Sequence, residues 1–159
     1  MNADILPPSG GRVFKLILTS PEAKQALVNL VSNIIGRTVV DVVLLPNELA
    51  PGDTKEKAER FDVNCKIDDG SQVNLEMQAS YMAEDLDGQH KNLKGKSVYY
   101  LTDLHSSQPA KGLRRYDRLS RSYQITFCSY TIFSNTSSYV NSFSCGMILR
   151  VNCCRTPSA

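Results

Sequence analysis

Hydrophobic and polar residues alternate most regularly in RFDVNCKIDDGSQVNLEMQ, residues 60–78. Successive side chains of an extended chain point to opposite faces, so Phe61, Val63, Cys65 and Ile67 share one side while Asp62, Asn64 and Lys66 share the other. Val73, Leu75 and Met77 alternate in the same way with Gln72, Asn74, Glu76 and Gln78. Two such runs predict a hairpin, and the need for one common apolar face selects its turn. A two-residue Asp69-Gly70 loop sets Asp62 against Met77, polar against apolar along the whole ladder. A three-residue loop Asp68-Asp69-Gly70, with Gly70 in the left-handed position of a bulged type I turn, pairs Val63 with Leu75, Cys65 with Val73 and Asp62 with Glu76.

Elsewhere the pattern is helical or mixed. VFKLIL (13–18) is an apolar piece leading into TSPEAKQALVNLVSNIIG, where Ala23, Ala26, Leu27, Leu30, Val31, Ile34 and Ile35 recur at helical spacing. Ser20 is placed to cap this 21–35 helix, Pro21 suits its first position and Gly36 closes it. TVVDVVLLP (38–46) is rich in β-branched residues and predicts a strand ending at Pro46. NELAPGDTKEKAE (47–59) is a polar linker, and 79–96 is polar without a clean period. A helix is expected over 97–107, with Val98, Leu101, Leu104 and His105 on one face. Pro109 to Arg121 forms a basic connector or short helix, and SYQITFCSYTIF (122–133) has strand composition. These elements make an α/β fold with a mixed central sheet, the 60–78 hairpin in its middle and helices flanking it.

Composition adds little to this picture except in the distribution of charge. The chain has 159 residues, 42% of them hydrophobic and 21% charged, which suits one domain with a real core. No apolar run approaches the roughly 20 residues needed to cross a bilayer, and the first residues carry no secretory signal, so the expected address is cytoplasmic. Five cysteines without paired spacing suggest reduced thiols, with Cys65 and Cys128 as small core residues. The net charge of +2 conceals a segregation. Residues 41–90 hold twelve Asp or Glu against four Lys or Arg, whereas 91–121 hold eight Lys or Arg against two Asp. An acidic stretch followed by a basic one fits a cation site beside an anionic partner; two solvated faces of opposite sign fit equally well.

The paired carboxylates carry the chemistry. Directly opposed side chains in a hairpin have Cβ atoms about 4.5–5.5 Å apart, so Asp62 and Glu76 are forced into one small volume. Unless they are well solvated, two like charges so close keep a proton or hold a cation. With carboxylate oxygens as the ligands and no Cys/His cluster nearby, Mg²⁺, or alternatively Mn²⁺, is the natural choice. Gln78 lies on the same face and can hydrogen-bond a water or a phosphate oxygen, though it supplies no charge. A carboxylate-held Mg²⁺ is the working core of phosphodiester hydrolysis by a metal-activated water. Asp62 followed by Glu76-Met77-Gln78 is similar to the D…(D/E)xK signature of restriction-type nucleases, with Gln in place of Lys; alone, that spacing also fits the exposed polar side of an ordinary hairpin.

The surrounding text is more specific. VFK (13–15), IIGRTVVDV, LLPNEL, KAERFDVNCKIDDGSQVNLEMQ, KGKSVYYLTDLHSSQ and the run from KGL to YTIF resemble, in this order, the PD-(D/E)XK nuclease family transposases, also called recombination-promoting nucleases, a bacterial group. The resemblance spans roughly residues 6–143. It implies a restriction-endonuclease-like core and Mg²⁺-dependent DNA endonuclease activity, with Asp62 and Glu76 at the metal-binding acids and Gln78 where a catalytic Lys usually stands. Two departures accompany it. Gly10-Gly11-Arg12 stands where the family commonly has an Asp ahead of its VFK-like motif. Residues 144–159 lose the resemblance, and their Cys-rich, patternless text fits an out-of-frame, disordered continuation of a nuclease-like domain spanning 1–143.

Arg114, Arg115, Arg118 and Arg121, interleaved with Tyr116 and Tyr123, are candidates to grip a DNA backbone, as is Lys96. Lys15, inside the VFK-like motif, and Lys94 are weaker candidates, and His90 and His105 have no partner at ligand spacing. The alternatives to an active endonuclease are a truncated DNA-binding remnant without catalysis and a protein-interaction domain.

Overall fold

The computed structural model describes residues 7–46, 62–78, 86–108, 116–133 and 138–144. The 47–59 linker, Arg114, Arg115 and the tail from residue 145 lie outside the described residues. Helix α1 (Gly11–Thr19) and helix α2 (Lys24–Ile35) precede strand β1 (Val42–Leu44), the hairpin strands β2 (Val63–Ile67) and β3 (Gln72–Gln78), helix α3 (Leu86–Ser106) and strand β4 (Ser122–Cys128). The four strands form one sheet in the order β1-β2-β3-β4. The first two junctions are antiparallel and β4 runs parallel to β3, so the sheet is mixed, as expected.

The hairpin has the predicted register, with Val63 opposite Leu75 and Cys65 opposite Val73. Its turn spans Asp68 to Gly70: the Gly70 N–H donates to the Ile67 carbonyl at 2.8 Å, the Ile67 N–H donates to the Ser71 carbonyl at 3.0 Å, and Gly70 has φ +85°. The apolar face of the sheet packs on α1 and α2. Leu18, Leu27, Val28 and Val31 form one cluster with Val42, Val63, Cys65, Ile67, Val73 and Leu75. Burial pushes the Cys65 thiol up to about 12, so it serves as the small core residue expected of it. Phe14 of α1 stacks obliquely on Phe127 of β4, ring centroids 5.4 Å apart.

Several local expectations change. VFKLIL belongs to a helix, α1, whose Leu18 is buried while Lys15, Leu16 and Ile17 face outward. The second helix begins at Lys24, after a 3-10 turn over Pro21–Ala23, and Ser20 makes no side-chain cap; its hydroxyl donates instead to the Ile17 carbonyl at 3.4 Å. Gly36 closes α2 in the left-handed conformation, φ +70°, as predicted. Within 38–46 only Val42–Leu44 joins the ladder. The Val39 and Val40 N–H groups are taken by the Ser32 hydroxyl and the Asp68 carboxylate, which leaves that stretch extended but unpaired in the sheet.

The largest correction concerns the polar face. Alternation predicts a hairpin with one solvated side, yet Asn64, Asn74 and Glu76 are all buried. α3, longer at its N-terminal end than the predicted 97–107 helix, covers this side of β3 and β4. Its packed face runs through Leu93, Ser97, Tyr100 and Leu104, not Val98 and His105, which are exposed. Buried polar groups need partners. Asn74 donates to Gln124 across the β3/β4 junction at 2.7 Å, and the Ser97 and Thr126 hydroxyls lie 3.5 Å apart.

Two stability tests address the turn. A left-handed non-glycine residue costs about 1–2 kcal/mol, so Gly70→Ala should lower the unfolding free energy by that much. An added Cβ would also meet the Ser120 hydroxyl at 3.1 Å. Gly11→Ala, where a Cβ meets nothing within 4 Å, should leave urea unfolding unchanged or raise stability by about 0.4–1 kcal/mol. The second test concerns Asp69, whose carboxylate accepts the Ser71 N–H at 2.9 Å and pairs with Arg37 at 2.7 Å, which holds its carboxyl below the ordinary value of 3.8. A depressed carboxyl stabilises the fold above its ordinary range and loses that contribution as pH falls through the lowered value. Acid-unfolding curves should therefore be flatter for Asp69→Asn than for the parent chain.

Candidate active site

β2 ends its ladder beside Asp62, and β3 carries Glu76 and Gln78 on the face turned toward α3. Continuing the Val63–Leu75 register by one residue puts Asp62 opposite Glu76. Two hydrogen bonds lock the pair together. The Asp62 N–H donates to Glu76 Oε1 at 3.3 Å, and the Met77 N–H donates to Asp62 Oδ2 at 2.9 Å. The two carboxyl groups thus sit within one small region, each oriented by the backbone of the opposite strand.

Their environments differ. Asp62 is partly exposed, whereas Glu76 retains 4% of its accessible surface. Burial raises the proton affinity of Glu76, the Lys96 ammonium counters it, and the Asp62 charge adds to the increase. Lys96 reaches down from α3 and places Nζ 3.1 Å from Glu76 Oε2. Gln78 lies half-buried at the end of β3 beside Cys128 of β4. Glu76, Gln78, Leu93, Lys96, Tyr100 and Thr126 line a narrow crevice between sheet and helix.

The donor set fits a hard divalent cation. Two carboxylates offer oxygen ligands, and one of them is buried with the Lys96 ammonium as its counter-charge among the described residues. Among the described residues no group of three or more His, Cys, Asp or Glu forms.

The structure brings Asp62, Glu76, Gln78 and Lys96 together. The described part of the basic connector, residues 116–121, lies elsewhere. Arg118 and Arg121 are exposed, and the Arg121 carbonyl accepts the Gln72 N–H at 2.9 Å, which anchors that segment at the turn end of β3. From Gln72 to Glu76 the strand advances by about 13 Å. Tyr116, in the same segment, is 71% exposed. Lys94 is exposed on α3 with its ammonium 5.5 Å from the Phe133 ring centre, and His105 is exposed beside the Ser122 hydroxyl at 3.1 Å.

Sequence reasoning gives Lys96 only a part in gripping the DNA backbone and misses its contact with Glu76. A signal for that contact exists: Leu93, Ser97, Tyr100 and Leu104 recur at i, i+4, i+7 and i+11, and Lys96 flanks that stripe. Among the described residues no helix is long and apolar enough to cross a membrane. A family model described as PD-(D/E)XK nuclease family transposase matches residues 12–146. No curated protein and no solved structure matches the chain.

Proposed function

The chain belongs to the PD-(D/E)XK nuclease family transposases, with the restriction-endonuclease-like α/β fold and nuclease-type function this entails, and from that premise we propose that it is a Mg²⁺-dependent DNA endonuclease acting in recombination or transposition. The observation that carries the reading is the opposition of Asp62 and Glu76 at the edge of a buried crevice.

Asp62 and Glu76, whose carboxylates are held side by side by the backbone of the opposite strand, would hold the divalent ion. When bound there, such an ion supplies Lewis acidity, lowering the pKa of a water and offsetting negative charge on phosphoryl oxygens. Gln78 orients the attacking water with its amide, positioned two residues past Glu76 on the same face. The cover of α3 over Glu76 keeps this region poor in bulk water, where each charged interaction is stronger than at an open surface. The water oxygen bonds to phosphorus as its proton passes to solvent, the bond from phosphorus to the leaving oxygen breaks, and that oxygen takes up a proton from solvent to leave as a hydroxyl. Arg118 and Arg121, together with Arg114 and Arg115 of the same segment, hold the DNA backbone without reading its bases.

Plasmid nicking in Mg²⁺ tests the catalytic assignment. Asp62→Ala and Glu76→Ala should each reduce cleavage by roughly a hundredfold or more, and Gln78→Ala should reduce it less. Undiminished cleavage in both acid variants would remove the site; DNA binding without cleavage in the parent chain would favour the remnant. The backbone assignment has its own measurement. Gel shifts at increasing salt should show a steep loss of affinity. The slope of log affinity against log salt should shrink by about one unit in Arg118→Ala and again in Arg121→Ala, because each substitution frees one phosphate to keep its counterion.

A further inference from the structure

We propose that Lys96 of α3 supplies the positive charge that Gln78 does not, and that without a divalent ion its ammonium is a placeholder which the ion displaces. The inference rests on the reading of Asp62 and Glu76 as ion ligands. Three observations carry it. The ammonium lies 3.1 Å from Glu76 Oε2, on a carboxylate that is 5% exposed at the side chain. The lysine is only 35% exposed, and its Nζ sits 5.1 Å from the Tyr100 ring centre, a cation–π distance that holds the stem against the helix. Gln78 lines the same narrow crevice as Glu76 and Lys96.

A lysine on the protein surface ordinarily keeps its charge in water, because the ammonium is strongly hydrated and its stem costs entropy to fix. Here the stem is fixed and the charge is set on a buried carboxylate. That arrangement satisfies Glu76 when no other cation is present, at the position a divalent ion needs to approach. Once Glu76 is engaged by the ion, the ammonium is released at the rim of the crevice, still tethered to α3 and on the Gln78 side. It can then donate to a non-bridging oxygen of the scissile phosphate as negative charge builds there. No bond to Lys96 forms or breaks in this role, and the bond changes at phosphorus stay the same. The strand position used by the family's lysine signature and the helix position of Lys96 are two routes to one location, because α3 lies directly on β3.

Calorimetric titration of Mn²⁺ into the DNA-free protein separates this role from a structural one, since removing a lysine needed only for packing has no reason to strengthen ion binding. Lys96→Met should bind the ion on the order of tenfold more tightly than the parent chain, as one competing ion pair is removed. Its plasmid cleavage should fall by roughly a hundredfold. Moving the charge back to the strand, in the double variant Gln78→Lys with Lys96→Met, should restore most of that cleavage. Lys96→Gln, which can still hydrogen-bond Glu76, should behave like Lys96→Met and serves if the latter does not fold. Unchanged ion affinity or retained cleavage in these variants would overturn the inference. Asp62→Asn and Glu76→Gln must lose Mn²⁺ binding in the same assay. If they keep it, the ion site itself is misplaced, whatever Lys96 does.

Discussion

Gly70, in the left-handed region at φ +85°, allows a three-residue turn, and that turn determines which side chains of β2 and β3 meet. A strand has a side-chain period of two, so a loop one residue shorter would put Met77 opposite Asp62 and turn Glu76 to the other face of the sheet. With the observed register, Val63, Cys65, Val73 and Leu75 enter one core while Asp62 and Glu76 share the opposite face. Core packing and the acidic pair are therefore consequences of one choice. Neither can be shifted without losing the other.

The second layer makes the pair chemically useful. β3 is an interior strand, paired with β2 on one side and β4 on the other, and it is covered on both faces. An exposed Glu opposite an exposed Asp would be two solvated charges of little consequence. Beneath α3, Glu76 is stripped of water and its carboxyl is pushed above the ordinary range by burial, with Lys96 pulling it back. This buried carboxylate, held by one ammonium and one backbone N–H, is the group that the proposed divalent ion would engage. Asn74, Gln124, Ser97 and Thr126 extend the polar seam, so the site rests on a layer whose hydrogen bonds run sideways across β3, β4 and α3.

Local rules read the hairpin, its turn, the left-handed Gly36 and the opposed acids correctly, because alternation and glycine conformation are properties of a few neighbouring residues. They fail where a partner decides. VFKLIL has the composition of a strand or a helix and becomes α1 because Phe14 and Leu18 find Phe127 and the sheet core. Ser20 looks like a cap, but the preceding helix takes its hydroxyl. Residues 86–96 lack a clean apolar stripe in the sequence, so periodicity starts α3 too late. The same absence hides Lys96, whose role depends on what lies underneath it. The family resemblance anticipates the fold and points to the two acids, but it has no means of showing a charge that arrives from another element.

Binding of a divalent ion between Asp62 and Glu76 is tested most directly by paramagnetic line broadening in NMR. Substoichiometric Mn²⁺ added to isotope-labelled protein should first broaden the amide signals of Asp62, Met77 and Gln78. Asp68 and Asp69 are the built-in comparison, since they are two adjacent carboxylates at the far end of the same hairpin. Broadening that begins at the Asp68–Gly70 turn, or spreads evenly over the acidic surface while residues 62 and 76–78 stay sharp, would contradict an ion site at this pair.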